Sequence, residues 1–425
     1  MCEGLMTLAK VFERVTNGED VPVEFAAYDG SRAGSPDADV RIEIRTPYAV
    51  SYLIRSPGLL GLARAYVSGH IDVHGDMYET LTRLSDTLNG LTFADRLRVL
   101  GGVADDPLLR AAAATRVKPP AQEAPRKSRF RRHSKERDAE AIHHHYDVSN
   151  RFYEWVLGPS MAYTCAVYPS LGASLEEAQA TKFDLVARKI GLEPGMRLLD
   201  VGCGWGGMVM HAAREYGVKA LGVTLSKQQA EWAQKAIAEN GLSELAEVRF
   251  MDYRDVPEAG FDAVSSIGLT EHIGQANVPA YFQFLNRKLK PGGRMLNHAI
   301  TRQDNTQDSI RPDGFINRYV FPDGELEGPG YLQSQMNDHG FEIRHQENFR
   351  EHYAMTLRDW CRNLDDHWEE AVEEVGEATA RVWRLYMAGC RLGFDRNFIQ
   401  LHQILGVKLP SSGVSGMPLR ATWGI

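Results

Sequence analysis

An α/β fold with a doubly wound parallel sheet is the architecture this chain predicts, and three observations predict it. Leu198-Leu199-Asp200-Val201 is an apolar run that opens directly into Gly202-Cys203-Gly204-Trp205-Gly206-Gly207, with a helix-compatible segment behind it. Helix-like and strand-like segments alternate between about residues 139 and 300, and repeated β-α units require parallel strands joined by crossovers. At 425 residues the chain also exceeds one typical domain, so a smaller accessory domain is expected beside the main one.

In chain order, residues 1–115 read as an α+β accessory domain for lipid contact or dimerisation. Val40-Arg41-Ile42-Glu43-Ile44 alternates like a half-buried strand, and Gly61 to Val67 continues an apolar helical pattern that Ser68-Gly69 ends. Residues 116–138 read as a basic linker: Val117-Lys118-Pro119-Pro120 opens it, and Arg126 to Arg137 holds seven Lys or Arg against the single Glu136, with Phe130 in the middle. Two readings stay open there, a solvated connector or a patch for anionic lipid, where each basic residue contributes about 1 kcal/mol. Residues 139–408 form the main domain. Its helices are Leu175–Ile190, Gly207–Tyr216 and Ser226–Asn240, and its strands are Arg197–Val201, Lys219–Val223, Val248–Phe250 and Phe261–Ser265. Residues 409–425 read as a tail.

Composition narrows the function. Hydrophobic content of 43% and charge of 24% are those of an ordinary globular protein, and a net charge of −8 argues against a nucleic-acid partner. The five cysteines, Cys2, Cys165, Cys203, Cys361 and Cys390, are scattered without a C-x-x-C pair, so neither a disulfide framework nor a metal site is expected. No run of about eighteen apolar residues occurs and the N-terminus lacks a signal peptide's pattern, which makes a cytoplasmic location the expectation.

The glycine loop carries the first chemistry. Gly202, Gly204 and Gly206 allow positive φ and let backbone N–H groups approach a guest, and the following helix start favours an anionic or polar one. The spacing is not G-x-G-x-x-G, and the second strand ends in Val223-Thr224 where a ribose-binding carboxylate usually stands, so Thr224 and Gln229 must supply polar contacts. Asp-x-Gly-x-Gly after a strand resembles the S-adenosylmethionine loop of class I methyltransferases. In such sheets the ligand sits beyond the carboxyl ends of the strands, where Gly202, Gly204, Thr224 to Gln229, Asp252-Tyr253 and the loop Gly268 to His272 lie.

Four further segments make the resemblance specific. His145-Tyr146-Asp147-Val148-Ser149-Asn150, Tyr163-Thr164-Cys165-Ala166, Val201 to Gly207 and Gly222-Val223-Thr224-Leu225-Ser226 are similar, in order and spacing, to signatures of the cyclopropane fatty acid synthase and mycolic acid methyltransferase family. The resemblance covers roughly residues 140 to 405. More weakly, Ala65 to Gly69 resembles the accessory domain of the longer members. It implies that Tyr146, Tyr163, Thr164, Asp200, Gly202, Cys203, Gly204, Gly206, Thr224, Leu225, Gln229, Asp252 and Tyr253 bind S-adenosylmethionine. It also implies a bound bicarbonate ion as base, held at positions corresponding to Cys165, Glu271, His298, Ile300 and Tyr386, with Cys390 matching a cysteine described as reactive.

The implied reaction is transfer of a one-carbon unit to the cis double bond of an unsaturated fatty acyl chain in a phospholipid. The alkene's π electrons attack the sulfonium methyl directly, a carbocation forms next door, and a base then removes a proton. Such a site must tolerate a cation and exclude water. His298 and Tyr386 can donate to the anion, and Glu271 is expected to accept its O–H. Thr270 and Asn297 depart from the synthase pattern, which is apolar there, and both positions are expected to border the site. Loss of a different proton would give a methylene branch, so the related actinobacterial enzymes that make 10-methylene fatty acids are competitors to a cyclopropane product. Implied partners are the unsaturated phospholipid acyl chain, an anionic membrane surface on the inner face, a second copy of the chain and, for a methylene product, a separate reductase. A non-catalytic lipid-binding protein and a small-molecule methyltransferase are the alternatives on the same fold.

Overall fold

The computed structural model describes residues 7–16, 21–56, 58–89, 115–124, 133–135, 137, 148–308 and 314–423. The chain divides into two compact units, the first comprising Met1–Pro125, Asp313–Val320 and Trp368–Leu392, and the second the remainder.

The first unit is built on a four-stranded sheet of β1 (Glu24–Ala27), β2 (Arg32–Gly34), β3 (Arg41–Ile44) and β4 (Ile71–His74), in the order β2-β1-β3-β4. Val23, Phe25, Ile42, Ile44, Ala49, Tyr52 and Ala65 fill its core, as the alternation at residues 40–44 predicts. Two departures from the expected boundaries follow from packing. Residues 116–124, read as the start of a linker, are tied down because Glu123 is buried and needs cations: Arg64 donates to it at 2.6 and 2.7 Å, and Arg318 at 2.6 Å. Arg318 and the stretch Trp368–Leu392, expected in the main domain, belong to this unit.

The second unit holds a seven-stranded sheet of β5 (Arg197–Val201), β6 (Lys219–Thr224), β7 (Ala246–Phe250), β8 (Phe261–Ile267), β9 (Leu289–Thr301), β10 (Glu342–Asn348) and β11 (Gln400–Val407). Its order is β10-β11-β9-β8-β5-β6-β7. The expected parallel pairing holds from β7 through β9, and β11 then runs antiparallel to both of its neighbours. Helices cover both faces, which is why the central strands read as continuous apolar runs rather than alternating ones. The helix Leu175–Ile190 shows how local chemistry sets the boundaries. Ser174 and Glu177 form a reciprocal capping box at its start, and Gly191, at φ +68°, ends it in the left-handed conformation. The segment read as a C-terminal tail is packed here, since Met417 and Trp423 lie against the core and Arg188 donates to the Trp423 carbonyl at 3.0 Å.

Strand order reverses between β5 and β8, so the loops after these two strands flank the crevice where α/β sheets hold ligands.

Candidate functional site

The glycine loop after β5 has the conformation its sequence demands. Gly202, Gly204 and Gly206 take φ of +71°, +55° and +79°, and Gly206 caps the helix Gly207–Tyr216. The N–H groups of Gly202 and Cys203 both donate to the Val223 carbonyl, at 2.9 and 3.0 Å, which fixes the loop against β6. A Cβ built on Gly204 would meet nothing within 4 Å, so this residue's backbone faces open space, the condition for a guest to lie directly on it. Cys203 instead turns its thiol into the core, within 2.8 Å of where a Cβ on Gly222 would stand. Burial pushes that thiol's pKa well up.

Thr224 at the end of β6 donates its hydroxyl to Gln229 at 2.8 Å and accepts the Ser226 N–H, so the predicted polar residues of this turn form one buried cluster, with half-buried Leu225 between them. Both oxygens of the Asp252 carboxylate are held by Arg254, at 2.8 and 2.5 Å. The Tyr253 ring lies edge-on to Tyr281 and Phe284. Tyr146, with the rest of the His145–Asp147 signature and most of the Arg126–Arg137 run, lies outside the described residues. Of that run, Lys135 pairs with Asp255 at 2.5 Å and Arg137 with Asp323.

Tyr163 and Thr164 are held from behind by the helix Leu175–Ile190. Gln179 donates to the carbonyls of Ala162 and Thr164, and Lys182 donates to the Thr164 hydroxyl at 2.8 Å. Lys182 is fully buried, which lowers its pKa to about 7 against the pull of Cys165 and Asp200. Burial likewise raises Asp200 to about 7, opposed by the Ser265 hydroxyl at 2.6 Å and by Lys182. Tyr163 stands in an aromatic wall with Tyr153 at 5.9 Å and Trp360 at 5.4 Å, and Tyr353 and Phe394 extend it. Trp205 of the glycine loop joins the wall through Tyr153 and donates to Asn150 at 2.9 Å.

Of the predicted acid-base residues of the second unit, Glu271, His298 and Ile300 lie at the ends of β8 and β9. Glu271, on a short 3-10 turn after β8, accepts the Ile300 N–H on Oε1 at 2.7 Å, so Ile300 acts through its backbone. Its other oxygen is buried without a hydrogen-bond partner, and burial raises the carboxyl to about 7. His298 is buried, takes Gln403 at Nδ1 at 3.2 Å, and leaves Nε2 buried without a partner. Burial, with Lys182 and Lys189 adding to it, pushes its pKa well below the usual value, so the ring is neutral. Cys165 is fully buried with its thiol toward the Ala166 carbonyl at 3.2 Å, and burial drives its pKa far up, keeping it a thiol. Tyr386 and Cys390 lie on the helix Glu377–Asp395 in its portion assigned to the first unit, where Tyr386 is buried edge-on to Trp383 and Cys390 is half-buried.

One expectation is corrected. Thr270 and Asn297 bond to each other at 2.6 Å, and the alternation of β9 turns Asn297 to the face opposite His298. Asn297 thus does not face the acid-base groups. Sequence reasoning also missed Gln179, Lys182, Lys189 and Gln403. A usable signal existed, because Lys182 and Lys189 fall in helical register with the apolar stripe of Phe183, Val186 and Ile190.

Comparison with known proteins identifies the family. The family model for mycolic acid cyclopropane synthetase matches residues 133–404. A "Probable fatty acid methyltransferase" of Mycobacterium tuberculosis is 54% identical over the whole of both chains. The cyclopropane-fatty-acyl-phospholipid synthase of Escherichia coli strain K12 is 31% identical, covering 88% of each. Among solved structures, a mycolic acid cyclopropane synthase complexed with SAH and CTAB matches with a TM-score of 0.60 at 32% identity, covering 64% of this chain and 98% of that one.

Proposed function

The chain belongs to the mycolic acid cyclopropane synthetase family of methyltransferases, and from that premise we propose that it transfers a one-carbon unit from S-adenosylmethionine to the cis double bond of an unsaturated phospholipid acyl chain. The observation that carries the proposal is the pair of orphaned buried atoms, Glu271 Oε2 and His298 Nε2, in the unit that also holds the open glycine loop. Buried polar atoms are nearly always paired, and these two belong to residues at adjoining strand ends, Glu271 just after β8 and His298 on β9 opposite the last residue of β8, which supports a small polar guest there.

When bound, the cofactor supplies an electrophilic methyl group on a sulfonium. Gly202, Gly204, the Thr224–Gln229 turn and Thr164 would hold it, and the absence of a side chain at Gly204 leaves room for it. The reacting alkene needs a surface that tolerates positive charge without adding water. Tyr163 and Trp360 would supply aromatic faces for that purpose, worth about 2 kcal/mol each for a desolvated cation. A bicarbonate ion held by Glu271 and His298 would supply the base. Glu271 would accept the ion's O–H and His298 would donate to its oxygen. Roles for Tyr386 and Cys390 rest on the family resemblance alone. A cyclopropane and a methylene-branched product both fit this site. A peripheral anionic membrane partner, a homodimer and a reductase acting on a methylene product complete the reading. Among the described residues no helix is long and apolar enough to cross a membrane.

The test is release of S-adenosylhomocysteine with unsaturated phospholipid, free fatty acid and RNA in parallel. Turnover on phospholipid alone is expected. Activity confined to RNA or to a small molecule would overturn the substrate class, and product NMR then distinguishes ring from exocyclic methylene.

A further inference from the structure

The helix Leu175–Ile190 places two lysines, Lys182 and Lys189, two turns apart on the face it buries, and both are fully buried. A buried ammonium must be matched by acceptors. Lys189 Nζ donates to Glu347 Oε2 on β10 at 2.5 Å and to Gln403 Oε1 on β11 at 2.7 Å. Gln403 stands directly opposite His298 in the β9–β11 ladder, on the same face, with Nε2 at 3.2 Å from His298 Nδ1.

The chemistry of these partners determines where the protons sit. A lysine has donors and no acceptor, so the amide must turn its carbonyl oxygen to Lys189 and its NH2 to the ring. That NH2 needs a lone pair at Nδ1, because two opposed N–H groups would repel. The single ring proton is therefore on Nε2, the buried nitrogen that has no protein partner.

We propose that Lys189 and Gln403 are positioning residues that lock His298 as the neutral Nε2–H tautomer, so that His298 can donate to the anion beside Glu271 and cannot itself take the substrate's proton. Burial and the nearby charges of Lys182 and Lys189 act in the same direction by opposing an imidazolium. Glu347 is the one carboxylate in the relay, and it sits behind Lys189 rather than against the ring. The functional half of this inference rests on the anion site proposed above, and the tautomer stands independently of it.

The experiment is nitrogen NMR of the full chain labelled with 15N-histidine, with His298→Asn to assign the signals. The wild type is expected to show a protonated Nε2 and a bare Nδ1 between about pH 6 and pH 9. Gln403→Glu sets a carboxylate against Nδ1 and should move the proton there, with kcat falling about tenfold or more and the cofactor KM within about twofold. Lys189→Met removes the donor that orients the amide and should give a mixture of tautomers with a smaller loss of kcat. A wild-type ring protonated at Nδ1 overturns the proposal, as do unchanged His298 signals and kcat in both folded variants. The wild-type spectrum decides even if neither variant folds. Loss of activity on bicarbonate removal tests the anion site separately, since the tautomer should not respond to it.

Discussion

Glu271 is held where its charge is costly. Its folded pKa of about 7, raised from 4.5 by burial, means that the folded state binds a proton more tightly than the unfolded chain. The stability this lends is complete below about pH 4.5 and is lost as pH rises through about 7, a difference of at most about 3 kcal/mol. Glu271→Gln keeps an acceptor for the Ile300 N–H and removes the titration. It should melt higher than wild type above pH 7 and match it near pH 4.5, while turnover falls by roughly two orders of magnitude and cofactor affinity holds. Calorimetry at the two pH values with single-turnover kinetics checks this, and equal melting with normal turnover would remove Glu271 from the chemistry. Glu271 and His298 became site candidates through the family resemblance, and Glu271 also through its place in the loop Gly268 to His272 beyond a strand end. The relay through Lys189 and Gln403 was not legible, because it joins a helix to a strand more than two hundred residues later.

Among elements, the glycine loop was the most legible, since a run of strand, positive-φ glycines and helix is a local pattern. Gly204→Val should abolish cofactor binding by calorimetry while the circular dichroism of both units stays native. The substitution puts a branched side chain at φ +55° into the space left for the guest. Undiminished affinity would displace the cofactor from this loop. The strands β9 to β11 were less legible, because the antiparallel insertion of β11 is decided by partners distant in sequence. The Thr270–Asn297 bond belongs here as well. Each residue alone reads as a polar intrusion near the site, and only the register of β8 on β9 shows them satisfying each other. Thr270→Val leaves a second buried Asn297 atom unpaired and should cost about 1–3 kcal/mol in denaturant unfolding. Thr270→Val combined with Asn297→Leu should recover most of that loss, and strictly additive losses would contradict the pairing.

At the scale of the whole molecule, the sequence conveyed two bodies but misplaced their boundary. The segments Asp313–Val320 and Trp368–Leu392 join the first unit, where Arg318 meets Glu123 and Arg381 meets Asp72 at 3.1 Å. Such returns of the chain leave no local signature. The basic run 126–137 keeps its proposed membrane role through Arg126, Lys127, Arg129, Arg131 and Arg132. Replacing these five with Ser should reduce co-sedimentation with anionic vesicles several-fold at low salt and little at about 1 M salt. Unchanged co-sedimentation would return the run to a plain connector.

One-carbon transfer to a lipid alkene requires, in this site, a bound anion as base. That requirement is tested most directly by following S-adenosylhomocysteine release on unsaturated phospholipid vesicles in carbon-dioxide-depleted buffer, then adding back bicarbonate. Slow turnover that bicarbonate restores is expected, with unchanged cofactor KM, and no restoration in Glu271→Gln. Full activity in depleted buffer, together with near-normal turnover in Glu271→Gln, would contradict it.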